Sequence, residues 1–145
     1  MIRNADRADI PRLREIRDTV RENRLRDPSR VTMDHYGWFI DNPGIFVWEE
    51  QGTIVGFSAA DPRDGSIWAL FMDEAYEGRG IGRALFERAC EVLRGAGCSR
   101  IWLTTWPGTR AERFYRRAGW RVVGTQDGNL VFEPSQASRS HAPDS

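Results

Sequence analysis

The stretch that decides the fold is Ser66-Ile-Trp-Ala-Leu-Phe-Met-Asp-Glu-Ala-Tyr-Glu-Gly-Arg-Gly-Ile-Gly-Arg-Ala-Leu-Phe86. It reads as a buried strand over Ser66–Met72, a glycine-paved turn, and the start of an amphipathic helix. Three glycines alternate at Gly78, Gly80 and Gly82, where the helix should begin. A helix start leaves its first backbone N–H groups unpaired and carries partial positive charge. Glycines there admit φ > 0 and let a ligand approach the backbone closely. The segment therefore predicts an anion seat, most naturally for a phosphate or pyrophosphate, with Arg79 and Arg83 adding full charges beside it.

Working outward from this turn, the helix after it should bury Ile81, Leu85, Ala89, Val92, Leu93 and Ala96, and end at Gly95 and Gly97. Upstream, Ile2-Arg3 reads as a short strand. Asp9 is expected to cap a first helix carrying Ile10, Leu13, Ile16 and Val20, with Pro11 in its first turn. The arginines of that helix (Arg12, Arg14, Arg17, Arg21, Arg24) are expected to form a solvated face interleaved with Asp18 and Glu22. Asp27-Pro28-Ser29 should break it, and Thr32 should cap a second helix through Tyr36, Trp38 and Phe39. A turn at Asn42-Pro43-Gly44 leads into strands over Ile45–Glu50 and Thr53–Ala60, the latter ending in the turn Asp61–Gly65. Downstream come a strand at Ile101–Thr105, a short helix over residues 110–118, and a hairpin turned at Asp127-Gly128. The order predicts one α/β domain over residues 1–133 around a mixed sheet of about seven strands, flanked by four helices on both faces. Residues 134–145 read as a disordered tail.

Composition narrows the function. Within 145 residues, 21 basic residues balance 21 acidic ones, so no net field draws the chain onto nucleic acid. Every basic residue is arginine. No apolar run approaches the roughly 20 residues that cross a bilayer, and the N-terminus lacks the apolar stretch of a signal peptide. A cytoplasmic protein with reduced thiols is expected. Cys90 and Cys98 are not in Cys-x-x-Cys spacing and His35 and His141 lie far apart, which argues against a metal site.

Two phosphate motifs are excluded. A Walker loop ends in Gly-Lys-Ser/Thr, whereas Gly82 is followed by Arg83-Ala84; the dinucleotide fingerprint needs a glycine where Arg83 stands. What remains, Glu77-Gly-Arg-Gly-Ile-Gly82, resembles the Gln/Arg-x-x-Gly-x-Gly/Ala signature of the GNAT superfamily of N-acetyltransferases, except at its first position. Ala111-Glu-Arg-Phe-Tyr115-Arg-Arg-Ala-Gly119-Trp120 resembles the second signature of that family. The resemblance spans about residues 2–133. It implies acetyl-CoA as co-substrate, with the pyrophosphate on the backbone of Gly78, Arg79, Gly80, Ile81, Gly82 and Arg83. It further implies that Leu70, Phe71 and Met72 pair with the pantetheine arm where the fourth and fifth strands splay, and that Gly108 and Ala111 lie along that arm. Gly108 stands where many relatives have asparagine. Tyr115 matches the tyrosine that protonates the leaving thiolate; its alternative is a helical tyrosine that only packs.

The implied reaction is acetyl transfer to a primary amine of a small molecule or peptide by direct attack on the thioester. A CoA-binding regulatory module with little turnover is the alternative, and a nucleotide-binding module a more distant one. The resemblance also implies a possible homodimer. Asp73, Glu49, Glu50, Asp61 and His35 are open candidates for the general base, beside a chain of waters. Trp38, Trp48, Trp68 and Trp106 could wall an acceptor pocket or serve as ordinary packing.

Overall fold

The computed structural model describes residues 1–19, 33–42 and 44–135. The breaker at Asp27–Ser29, the cap at Thr32, Pro43 and most of the tail lie outside them, as do Val20, Arg21, Glu22, Arg24 and His141. The described elements are β1 (Ile2–Asn4), α1 (Ile10–Thr19), α2 (Met33–Asp41), β2 (Ile45–Glu50), β3 (Thr53–Asp61), β4 (Ser66–Met72), α3 (Ile81–Gly95), β5 (Leu103–Thr105), α4 (Arg110–Arg117), β6 (Trp120–Gln126) and β7 (Asn129–Pro134). Seven strands and four helices match the expected α/β class.

The strands form two antiparallel sheets, ordered β1-β2-β3-β4 and β5-β7-β6. One parallel bridge joins them, Ser66 with Trp102. There the Ile67 N–H donates to the Trp102 carbonyl at 2.9 Å and the Trp102 N–H to the Gly65 carbonyl at 3.1 Å. Gly65 is required at this junction. Its φ is +81°, and a Cβ would sit 1.9 Å from the Arg100 carbonyl oxygen. Beyond this single bridge β4 and β5 part.

Local chemistry accounts for the elements. Gln51 and Gly52 take φ of +50° and +80°, and Asp127 and Gly128 +53° and +83°, the left-handed pair that a two-residue hairpin needs. Helix α3 stops in a Schellman motif: Gly97, at φ +79°, donates to Arg94, and Cys98 donates to Leu93 at 3.1 Å. Ala96 is therefore an exposed cap residue and not part of the buried face. That face is Ile81, Leu85, Phe86, Ala89, Cys90 and Leu93; each large side chain in it contributes about 1.5–3 kcal/mol by leaving water.

The first sheet is covered on both sides. Ile10, Leu13 and Ile16 of α1 pack with Tyr36 and Phe39 of α2 on one face, while α3 covers the other. The register of β4 shifts against β3, with Ala59 opposite Ala69 and Ala60 opposite Ile67, so Trp68 is an extra residue. Trp68, Ala69 and Phe71 consequently pack on the α1–α2 side, whereas Leu70 and Met72 pack toward α3.

Two expectations for α1 are corrected. Asp9 does not cap it. Asp6 begins a preceding 3-10 turn and exchanges side-chain bonds with Asp9 in a capping box, and the Asp9 carboxylate also accepts from Arg3. Nor are all its arginines solvated. Arg12 is half-buried and donates to the Ile54 carbonyl, and Arg17 is buried. Helical spacing marks which residues face the sheet, but it treats any arginine as outward-facing.

Candidate active site

Beside the end of β4, between α3 and α4, lies a cavity of about 1020 Å³. On one wall β4 is an edge strand, so the backbone groups of Leu70–Met72 that point away from β3 meet no neighbouring strand. At the floor, α3 begins. Gly80 is its N-cap at φ +80°, no side chain caps it, and Gly78 is at φ +84°. A Cβ at either glycine would meet nothing within 4 Å. Glycine is thus there for the backbone turn, and the turn faces open space. The first turn of a helix has N–H groups without an intrahelical partner, and Gly80, Gly82 and Arg83 at this one line the cavity, the setting an anion seat requires.

The other wall is α4. Thr109 caps it by accepting from the Glu112 N–H, and the Glu112 carboxylate accepts from the Gly108 N–H at 2.7 Å. This fixes the loop that sends Ala111, Phe114 and Tyr115 into the cavity wall. Tyr115 is packed against Phe86 and Phe132, with ring centres at 5.6 and 5.7 Å. Burial pushes its phenol above the usual value near 10, with Cys90 adding to the rise. Burial likewise pushes the neighbouring Cys90 thiol up to about 12. Cys90 therefore stays a thiol and is not a nucleophile.

Of the residues expected to act, Leu70, Phe71, Met72, Gly78, Gly80, Gly82, Arg83, Ala111 and Tyr115 line this one cavity. Arg79, Ile81 and Gly108 do not. The Arg79 guanidinium lies 5.1 Å from the centre of the Tyr76 ring, the Ile81 side chain is in the core, and Gly108 sits in the α4 cap.

The sequence reading missed most of the cavity's charge. Five arginines line it (Arg83, Arg94, Arg110, Arg113, Arg117) against two glutamates, Glu77 and Glu87. A chain with no net charge thus concentrates positive charge around one opening. The signal was present: Arg110, Arg113 and Arg117 recur at helical spacing on one face of α4. Glu77, the residue that departs from the resembled signature, is paired. Arg110 donates to Glu77 at 3.1 Å and to Glu74 at 2.7 Å, spanning from α4 to the glycine turn.

The candidate bases are engaged elsewhere. Glu49 accepts from Arg3, Glu50 from the Trp48 indole, and Asp61 from Arg63. Asp73 caps a short turn and meets Arg12 at 3.4 Å. His35 is exposed on α2. Trp68 stacks on Phe39 with ring centres 4.2 Å apart, and Trp38 carries the Arg63 guanidinium at 3.6 Å. Among the described residues no group of acidic, histidine or cysteine side chains could hold a metal ion. No described helix is long and apolar enough to cross a membrane.

Residues 10–120 match the model of the acetyltransferase (GNAT) family. The chain belongs to that family. It is 36% identical over 117 residues to a mycothiol acetyltransferase of Propionibacterium freudenreichii, covering 74% of this chain and 36% of that protein. The chain thus spans about a third of that relative's length. It is 26% identical over 139 residues to an amino-acid acetyltransferase of Mycobacterium tuberculosis, covering 92% of this chain and 75% of the relative. Its fold superposes on the PaiA N-acetyltransferase of Thermoplasma acidophilum, crystallised with coenzyme A, with a TM-score of 0.76 at 14% identity over 93% of this chain and 98% of that one.

Proposed function

We propose that this protein transfers an acetyl group from acetyl-CoA to a primary amine of a small molecule or peptide, by direct attack of the amine on the thioester. The observation that carries this is the uncapped N-terminus of α3, with Gly78, Gly80 and Gly82, opening into the same arginine-rimmed cavity as the free edge of β4 and the Tyr115 hydroxyl's helix. The names of the relatives support the same reaction class, and the PaiA protein supports CoA as the ligand of the cleft. The reading assigns the activity to residues 1–133 and the reaction to the cytoplasm.

The residues divide the work. The backbone N–H groups over residues 78–83 hold the diphosphate, and Arg83 and Arg110 supply charge beside it. The edge of β4 at Leu70–Met72 takes the amide-bearing arm as an added strand. A backbone N–H of Phe71 or Met72 polarises the acyl carbonyl as negative charge grows on its oxygen, a contribution of roughly 3–4 kcal/mol. Transfer forms a C–N bond and breaks the C–S bond. Tyr115 gives its proton to the departing sulfur, the surplus proton of the amine passes to water, and water returns a proton to the Tyr115 phenolate. Burial only strengthens the hold of the Tyr115 phenol on a proton it already keeps at neutral pH. It also raises the sulfur's demand for a proton, as the Cys90 thiol in the same wall illustrates.

The regulatory alternative rests on Glu77, which departs from the resembled signature, and on Gly108, which stands where many relatives have asparagine; Arg110 offsets the first of these by pairing with Glu77. The test is thiol release from acetyl-CoA with a panel of amines, run beside calorimetric titration of acetyl-CoA. Binding with amine-dependent thiol release is expected; binding without release across the panel would favour the regulatory module.

A further inference from the structure

Among the described residues, one buried charge has no counter-charge beside it. Arg17, in the last turn of α1, is 8% exposed. Its Nε and Nη1 are buried with no hydrogen-bond partner. The hydroxyl of Tyr36, in the first turn of α2, is a neutral partner for the rest of the guanidinium. The group lies 4.6 Å from the centre of the Phe71 ring and 5.1 Å from that of Trp68. Asp18 is next in the chain but exposed, and its pull on Arg17 is the weakest of those acting. Of the other arginines on this side, Arg14 is exposed, and several are matched: Arg3 with Asp9, Arg7 with Asp41, Arg12 with Glu15 and Asp73, Arg63 with Asp61.

An unpaired buried cation is costly, and an apolar side chain of similar volume would serve packing better. The position makes sense if something else completes it. Phe71 links it to the reaction site, because the ring that meets Arg17 belongs to the same residue that lines the cavity. The guanidinium thus stands on the α1–α2 side of β4, against the ring of a residue that also borders the cleft. Tyr36, Trp68 and Phe71 surround it with aromatic surface.

We propose that Arg17 receives a carboxylate of the acceptor, so that the amine this protein acetylates belongs to an amino acid or another amine bearing a carboxylate. The proposal rests on the transferase reading and names its acceptor class. One desolvated cation balances one negative charge; a phosphate monoester brings closer to two and would call for a second cation. A planar guanidinium with free donors on nitrogen suits the planar carboxylate.

The test compares kcat/KM for matched pairs. One arm pairs free amino acids with their carboxamides. The other pairs C-terminally amidated dipeptides carrying Glu with those carrying Gln, which separates an α-carboxylate from a side-chain one. The acid-to-amide ratio is then compared among wild type, Arg17→Met and Arg17→Lys, which cancels differences in amine basicity. In at least one arm the ratio should fall on the order of 10- to 100-fold in Arg17→Met and less in Arg17→Lys, a size set by a charged hydrogen bond. An unchanged ratio in both arms overturns the proposal. A binding readout stands apart from turnover: with CoA present, the carboxylate of the favoured pair should raise the melting temperature of the wild type, and its amide should not. If Arg17→Met does not fold, Arg17→Lys and this shift decide. If no amine is acetylated at all, the transferase reading fails, and equal shifts with acid and amide would sink the Arg17 site as well.

Discussion

The two sides of β4 use arginine in opposite ways. Toward α3 and α4, arginines stand around a large opening: Arg83 and Arg110 have 70% and 44% of their side chains exposed, and both are paired with glutamates at the surface. Toward α1 and α2, Arg17 is shut away among aromatic rings with two nitrogens unsatisfied. The open side tolerates change because water screens exposed charge. The closed side does not, because nothing screens a charge there. A surface arginine adds to a field that many neighbours share. A buried one is a single-residue specificity element.

The sharpest way to break this comparison is at Tyr115, on the open side but itself buried. Tyr115→Phe removes one oxygen from a well-packed ring cluster, so the fold should hold. If the hydroxyl serves as acid, kcat should fall on the order of 100- to 10,000-fold while calorimetric affinity for acetyl-CoA stays within a few-fold. A fall of less than tenfold would return Tyr115 to a packing role. The sign of its pH effect follows from burial. The folded protein holds the phenolic proton more tightly than the unfolded chain, whose value is about 10. That contribution is intact below pH 10 and is lost as pH rises through the folded value. Wild type should therefore lose stability above about pH 10 in chemical denaturation, and Tyr115→Phe should lose less.

The junction between the sheets comes next in size. Gly65→Ala places a methyl where the Arg100 carbonyl already lies and demands a left-handed backbone. The bridge from Ser66 to Trp102 is the hinge of the splay, so the loss should appear in both stability and activity. A drop in melting temperature of several degrees, equivalent to about 2 kcal/mol or more, is expected. Gly80→Ala is milder. It imposes only the left-handed strain, about 1–2 kcal/mol, because a Cβ there meets nothing. Its expected effect is weaker acetyl-CoA binding, on the order of tenfold, with kcat less affected. Equal acetyl-CoA affinity in Gly80→Ala and wild type would separate the turn from the diphosphate.

The unequal legibility of the two sides has a physical cause. The glycine turn could be read because backbone geometry dictates sequence there: φ near +80° at Gly78 and Gly80 all but requires glycine. The α4 signature could be read because Ala111 and Tyr115 each meet a separate demand, close packing and cavity wall, whereas the Thr109 cap went unread. The splay could not be derived from periodicity. It depends on Gly65 meeting Arg100 across the junction, a contact between residues 35 positions apart. Arg17 was hidden for a different reason. Its burial is created by Tyr36, Trp68 and Phe71 together, and Trp68 reaches that face only through the extra residue in β4. A shift of one residue in strand register reverses which side chains meet α1, and no pattern within α1 itself reports it.

The smallest expected effect tests the open side at its most unusual residue. Glu77 places a negative charge beside the proposed diphosphate seat, held by Arg110 at 3.1 Å. Both side chains are about two-fifths exposed, so the pair contributes at most about 1 kcal/mol to stability. Glu77→Gln should therefore leave the melting temperature within a degree or two. Removing the acid leaves Arg110 with Glu74 alone and lowers repulsion toward an incoming phosphate, so acetyl-CoA should bind two- to threefold more tightly at low salt. The gain should vanish near 1 M salt, where the screening length is about 3 Å. If Glu77→Gln instead binds acetyl-CoA tenfold more weakly, the carboxylate is holding Arg110 in place for the ligand. Glu77 and Arg110 would then act as one unit, and the open side would contain a positioned charge as specific in its effect as Arg17 is on the closed side.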